Sequence, residues 1–273
     1  MADYRTFFAS DLLTGRRALV TGGGTGIGKA VAIELAAAGA QVTIAARRVE
    51  VLESAAKEIG SLTGAEIGID LVNIRDVDSV NGLVARHPDV NLLVNNAGGQ
   101  FPGKARDLSP NGWRSVIDLN LNGTWNMTQA FGNAMLNAVG GTICQIITLV
   151  GRGMPGIAHS AAARAGVLEL TRTLSFEWGP KVRLNCVAPG QFRTEGWFNA
   201  YAEGVGDGVG GQPLPYAGHV RDIANAAVFL SSPASRFITG EVMFVDGGLI
   251  LQGPISALPE GAYPERLEPS PNW

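Results

Sequence analysis

The chain has 273 residues, enough for a large core in one or two domains, and is 46 % hydrophobic but only 16 % charged, a composition that suits a compact body partly covered by further copies of itself, a dimer or tetramer. A net charge of −3 leaves no basic footprint, and the lysines and arginines do not cluster with aromatics, so nucleic acid is not an expected partner. No run reaches transmembrane length, and Asp3, Arg5 and Asp11 interrupt the opening segment where a secretory leader would be apolar, so a cytoplasmic protein that binds no membrane is expected.

In chain order, short β-branched runs alternate with longer helical patterns. Strands are predicted at 16–21 (RRALVT), 41–46 (QVTIAA), 65–70 (AEIGID), 90–95 (VNLLVN), 141–147 (GTICQII), 182–187 (VRLNCV) and 241–246 (EVMFVD). Helices are predicted over 27–39, 49–60, 76–86, 111–138, 157–178 and 220–231, several with Gly or Pro at the exit. This alternation is the signature of βαβ units, so the fold class expected is α/β, a Rossmann-type doubly wound parallel sheet of seven strands in a single domain over 1–251. Two segments fall outside it. The glycine-rich stretch 196–216 is expected to be a mobile substrate loop, whose Trp197, Phe198 and Tyr201 either line an acyl channel or anchor the loop; 252–273, with five prolines, is expected to be a tail. Cys144 and Cys186 lie in apolar strand-like runs without a nearby ligand, so buried thiols are expected and no metal site.

Directly after the first strand comes TGGGTGIG, residues 21–28, and a helical pattern follows at once. Glycines at a strand-to-helix turn let the backbone approach a pyrophosphate, while the free N–H groups of the helix start meet its charge. Thr21, Gly22, Gly24, Thr25, Gly26, Ile27 and Gly28 are therefore candidate cofactor-binding residues. The second strand ends in Arg47 and Arg48, with no carboxylate where an NAD enzyme would hold ribose hydroxyls. A guanidinium there pairs with a ribose 2′-phosphate, so NADP(H) is the cofactor expected.

TGGGTGIG (21–28), NNAG (95–98), Asn120 in DLNLNGTW and VAPG (187–190) followed by Thr194 resemble the short-chain dehydrogenase/reductase family, over about 14–250. The resemblance implies that Gly22, Gly26 and Gly28 hold the pyrophosphate and that Asn73 lies by the adenine. It also implies that Asn95, Asn96, Ala97 and Gly98 support the central strand and the ribose, and that Pro189, Gly190 and Thr194 frame the nicotinamide. The family's catalytic set is Asn, Ser, Tyr and Lys, with Tyr four residues before Lys on the long helix. Here Asn120 is kept, the serine position is Thr148, the tyrosine position is Ser160, and the lysine position is Arg164, in HSAAARAGV (159–167).

Those replacements change the chemistry on offer. Ketone reduction needs a proton on oxygen, which a phenol of pKa about 10 supplies once an ammonium lowers it. A serine hydroxyl donates a hydrogen bond to a developing oxyanion but is poorly matched to transfer the proton, and an arginine does not shuttle protons. Charge stabilisation without proton delivery is what hydride addition to the β-carbon of an α,β-unsaturated thioester requires. The segment is similar to the enoyl-CoA and 2,4-dienoyl-CoA reductase branch, in which the helix tyrosine is absent. In this reading Ser160 and Thr148 donate to the thioester oxygen of a small-molecule acyl substrate, Arg164 also binds the cofactor ribose, and Asn120 orders a water. Asp246, in VDGG, is either a proton relay or a turn residue. His159, adjacent to Ser160, points about 100° away around a helix, so a nucleophilic dyad is not expected. A carbonyl or ketoacyl reductase of atypical site, a cofactor-binding protein without turnover, and a dehalogenase-like lyase are the alternatives, the last disfavoured by the intact glycine loop.

Overall fold

The computed structural model describes residues 4–190, 192, 194, 212–214, 216 and 218–251. The loop prediction for 196–216 lies mostly outside the described residues, with Trp197, Phe198 and Tyr201, and the tail prediction for 252–273 lies wholly outside them. Strand β1 (Arg17–Thr21) shows how the sequence builds the centre. Four of its residues are buried, and alternate side chains pass to opposite faces, Ala18 and Val20 into one apolar layer and Leu19 into the other. β4 (Leu92–Asn95) repeats this, with Leu92 and Val94 in the first layer and Leu93 in the second. Strands buried on both faces read as unbroken apolar runs, and for that reason they are legible in the sequence.

The other strands are β2 (Gln41–Ala46), β3 (Ile67–Leu71), β5 (Gly141–Ile146), β6 (Val182–Pro189) and β7 (Val242–Val245). All neighbours pair in parallel in the order β3-β2-β1-β4-β5-β6-β7, with Val20 opposite Ile44 on one side and Val94 on the other. The order reverses between β1 and β4, which opens a crevice at the carboxyl ends of those strands. Helices α1 (Gly26–Ala37), α2 (Val49–Thr63) and α7 (Val220–Ser231) carry Val31, Leu35, Leu52, Ile59, Ile223 and Val228 into the first layer. On the other face α3 (Val77–Arg86), α5 (Gly123–Asn137) and α6 (Ala158–Trp178) supply Val80, Leu83, Met127, Phe131 and Leu174.

Capping follows the local sequence. Asp76 accepts the N–H groups of Asp78 and Ser79 at the head of α3, and Gly64 ends α2 in the left-handed region at φ +74. One predicted helix is corrected. The segment expected as a single helix over 111–138 is α4 (Pro110–Ile117), headed by Ser109, then one wide π-type turn at Asp118–Asn122, then α5. Such a turn absorbs one extra residue per turn, which the hydrophobic period does not reveal. Among the described residues no helix is long and apolar enough to cross a membrane.

Candidate active site

The crevice holds a cleft of about 350 Å³ lined by eleven of the predicted cofactor residues: Gly22, Gly24, Thr25, Gly26 and Ile27 from the glycine loop, Arg47 and Arg48 after β2, and Asn73, Ala97, Gly98 and Thr194. Its shape depends on missing side chains. Gly22 adopts φ +65, and a Cβ on Gly28 would lie 2.3 Å from the Gly22 carbonyl oxygen, so α1 starts pressed against the turn. Asn96, in the NNAG segment, donates through Nδ2 to the carbonyls of Thr21 and Gly22 at 3.1 and 3.2 Å. Thr21 is buried and is not part of the cleft lining; its hydroxyl accepts the N–H groups of Asn96 and Ala97, each at 3.0 Å. Asn95 is also buried, donating to Thr128 Oγ1 at 3.0 Å, and so braces β4 rather than lining the cleft. Pro189 ends β6, and the Gly190 N–H donates to the Val245 carbonyl at 3.0 Å, where any Cβ would meet Asp246 Cα at 2.7 Å.

The residues present fit an extended dinucleotide: a glycine-cradled turn, the open N-terminus of α1, whose Thr25 cap makes no side-chain hydrogen bond, and two arginines at the far end. They could hold a phosphate-bearing cofactor along the cleft.

The polar group beyond the cleft rises from the first turns of α6. Ser160 is fully buried, and its Oγ donates to Gln100 Oε1 at 2.6 Å. Gln100 was not among the predicted residues; it lies 60 positions away in the loop after β4, a separation that no local pattern signals. Four residues on from Ser160, Arg164 lies beneath the same loop. Its Nη1 donates to the Ile146 carbonyl at 3.0 Å, and a Cβ on Gly98 would stand 2.1 Å from its Nη2. Burial lowers its pKa to about 10, with the neighbouring Cys186 opposing slightly. No carboxylate pairs with it among the described residues, so it is a cation held beside the cleft without a counter-charge of its own.

Asn120 sits in the wide turn, fully buried. Its side chain clamps Gly99 on both sides, Oδ1 accepting the N–H at 3.0 Å and Nδ2 donating to the carbonyl at 2.9 Å, while its own carbonyl accepts the Thr124 hydroxyl at 2.8 Å. The residue thus shapes the loop over Arg164, and its side-chain groups are engaged within the chain rather than turned to a water. Thr148 follows β5 and is half-buried; Ser160 takes Gln100, not Thr148, as its hydroxyl partner. Asp246 accepts the N–H groups of Gly248 and Ile250 at 2.9 and 2.7 Å, one on each oxygen, which is the turn-forming role. His159 takes the Ser160 backbone N–H on Nδ1 at 2.8 Å and does not touch the hydroxyl, so the two form no dyad. Both cysteines are buried, and burial pushes the Cys186 thiol up to about 12 and the Cys144 thiol further.

The arrangement can donate hydrogen bonds and positive charge to an oxygen placed between Ser160, Gln100 and Arg164, and the side chains described above include no phenol and no ammonium. Residues 22–250 match a family model described as enoyl-(acyl carrier protein) reductase. A probable 2,4-dienoyl-CoA reductase of Caenorhabditis elegans is 38 % identical over 251 residues, covering 86 % of this chain and 81 % of that one. A 3-oxoacyl-(acyl-carrier-protein) reductase of Chlamydia muridarum is 37 % identical over 251 residues, covering 88 % of this chain and 99 % of that one. Among solved structures, a putative 2-deoxy-D-gluconate 3-dehydrogenase from Agrobacterium tumefaciens with bound NADP superposes with a TM-score of 0.82 at 33 % identity, covering 89 % of this chain and 99 % of that one. A short-chain dehydrogenase/reductase family protein gives 0.82 at 36 % identity, covering 88 % of this chain and all of that one.

Proposed function

The chain belongs to the short-chain dehydrogenase/reductase family of oxidoreductases, and from that premise we propose that it reduces the carbon–carbon double bond of an α,β-unsaturated thioester, such as a trans-2-enoyl-CoA, with NADPH. One observation carries the reading: where a ketone reductase of this family has its phenol, a buried serine hydroxyl shares a 2.6 Å hydrogen bond with Gln100 beside the buried Arg164. NADPH supplies the hydride. Gly22, Gly26 and the first turn of α1 would hold its pyrophosphate, Arg47 and Arg48 its 2′-phosphate and Asn73 its adenine end, all in the cleft lining, and Arg164, packed against Gly98 outside that lining, would hold its ribose.

As negative charge gathers on the thioester oxygen, Ser160 releases Gln100 and donates to that oxygen, and the buried Arg164 cation stabilises it. Thr148, two residues beyond the end of β5 and half-buried, would add a second hydroxyl to the thioester oxygen. Neither Ser160 nor Arg164 is an acid suited to neutral pH, so the α-carbon takes its proton from solvent. The working form is a homo-oligomer in the cytoplasm; Phe176 and Phe237, 92 % and 101 % exposed on a single chain, mark surface that sister subunits would cover.

NADPH consumption with an enoyl-CoA and with a 3-ketoacyl-CoA of equal length tests the proposal, repeated with Ser160→Ala. Preference for the enoyl thioester and a loss of about 100-fold in kcat for the variant are expected; brisk ketone reduction alone would overturn it. That second reading, a ketoacyl reductase, has one observation in its favour: relatives carrying that name match over 99 % of their length at 37 % identity.

A further inference from the structure

We propose that His159 is a positioning residue, which, as its Nε2–H tautomer, ties the Gln100–Phe101 segment to the first turn of α6 and so sets the direction of the Ser160 hydroxyl. This rests on the reading of Ser160 as the oxyanion donor.

The tautomer follows from what Nδ1 touches. A backbone N–H can only donate, and the Ser160 N–H lies 2.8 Å from Nδ1, so Nδ1 is the acceptor and the ring proton sits on Nε2. The Ser160 N–H is one of the first-turn donors without an intrahelical acceptor, and Ile157, at the cap position, offers no side-chain oxygen. The ring occupies that role from inside the helix. It is 0 % exposed, and its Nε2 has no hydrogen-bond partner among the described residues.

The ring meets Phe101, with centroids 4.6 Å apart and planes at 79°, the T-shaped arrangement in which the edge of one ring faces the π cloud of the other. Phe101 is covalently next to Gln100, and Gln100 Oε1 accepts from Ser160 Oγ. A closed path therefore runs from the Ser160 N–H through the His159 ring to Phe101 and Gln100 and back to the Ser160 hydroxyl. A second tie, from the Gly103 N–H to the Gly156 carbonyl at 2.8 Å, joins the same two loops further out. A residue that only capped the helix would need the Nδ1 contact alone. Here the same buried ring also packs against the segment that carries the partner of the reactive hydroxyl.

Two arms test this on the intact protein. In protein labelled with 15N-histidine, a long-range 1H–15N spectrum resolves the tautomer of each of the three histidines. His159 is expected as Nε2–H with slow exchange, and Phe101→Ala is expected to accelerate that exchange; an Nδ1–H pattern, or exchange indifferent to Phe101→Ala, overturns the proposal. The second arm is a kinetic cycle of His159→Phe and Gln100→Ala. His159→Phe is expected to lower kcat by about tenfold, in line with small misplacements of a catalytic group, with NADPH affinity by tryptophan energy transfer unchanged. In the Gln100→Ala background the same change is expected to cost less than about twofold, because its effect passes through Gln100. His159→Asn, which keeps an acceptor near Nδ1 but loses the ring, is expected to retain the cap and the melting temperature yet still lower kcat. Equal losses in both backgrounds, or full kcat in His159→Asn, overturn the positioning role. A wild type that ignores enoyl-CoA but reduces a ketoacyl-CoA overturns the proposed function instead, and the cycle is then read on the ketone, whose oxyanion needs the same donors.

Discussion

Gly98→Ala places one methyl group where the structure has no room for it. Its Cβ would stand 2.1 Å from Arg164 Nη2, 3.2 Å from Arg164 Cζ and 2.9 Å from Asn120 Oδ1. Gly98 is not among the positive-φ glycines, so alanine is acceptable to the backbone and the effect is steric. For an ordinary contact of 3.4 Å the guanidinium must retreat from 2.1 Å by about 1.3 Å, which pulls Nη1 off the Ile146 carbonyl, 3.0 Å away. A hydrogen bond from a charged group contributes about 1.5–3 kcal/mol, and overpacking a filled site costs about 1–3 kcal/mol. Taken with partial relaxation, a loss of about 2–5 kcal/mol is expected, which for a domain of this size lowers the melting temperature by roughly 4–20 °C. Thermal unfolding monitored by circular dichroism reads it directly. The decisive comparison is the same change in an Arg164→Ala background, where the methyl still meets Asn120 Oδ1 but no guanidinium, so the penalty should fall by about 1–3 kcal/mol. An equal penalty in both backgrounds would refute the account, because it would place the conflict at Asn120 or in the backbone and not at Arg164.

Arg47→Ala is expected to weaken NADPH binding by about 10–100-fold, the worth of a charge-assisted phosphate contact, while leaving NADH affinity within about twofold; titration of both nucleotides decides whether the arginines after β2 read the 2′-phosphate. Glu34→Gln removes a fully buried carboxylate that accepts from the Tyr4 hydroxyl at 2.5 Å and the Thr6 hydroxyl at 2.7 Å and that pairs with Arg221. Because Arg221 remains partly open to water, a loss of about 1–3 kcal/mol is expected from urea unfolding, and an unchanged midpoint would show the network to be neutral. Burial works against ionisation of Asp70, but hydrogen bonds from Arg86 and His87 outweigh it and hold the carboxyl below the usual carboxylate range. A depressed folded-state pKa contributes stability that is fully present above the unfolded value, about 3.9, and lost as pH falls through the folded value. The gap in stability between wild type and Asp70→Asn should therefore be open at neutral pH and close below about pH 4; a gap that widens on acidification would contradict the sign.

The strands were legible because a parallel strand buried on both faces leaves an apolar run bounded by turn residues, as LLV in β4 and LNCV in β6 do. Agreement was loosest at β3, an edge strand whose residues are half-buried or exposed, so its limits shift from the predicted 65–70 to Ile67–Leu71. The wide turn at Asp118–Asn122 was invisible for another reason. It leaves the helix axis and the apolar face nearly continuous, and only the hydrogen-bond ladder registers the extra residue.

The cleft was encoded locally: glycines immediately after β1 and arginines immediately after β2 take their positions from the strands that precede them. The same holds for Ser160 and Arg164, which share a face because they are four residues apart on one helix. What local spacing does not encode is the partner. Replacing a phenol by a serine shortens the side chain by a ring, so the hydroxyl withdraws toward the helix backbone, and a buried hydroxyl that lost its partner would carry a desolvation cost. Gln100 meets that requirement from a loop 60 residues earlier, held there by Asn120 clamping Gly99 and by Phe101 lying on His159. The departure from the family pattern at position 160 is thus readable as a single letter, but the rearrangement that makes it serviceable is distributed over residues whose proximity only the fold creates. A site reverted at Ser160 alone would set a phenol against Gln100 and Phe101, so restoring ketone chemistry should require opening that loop as well as changing the helix.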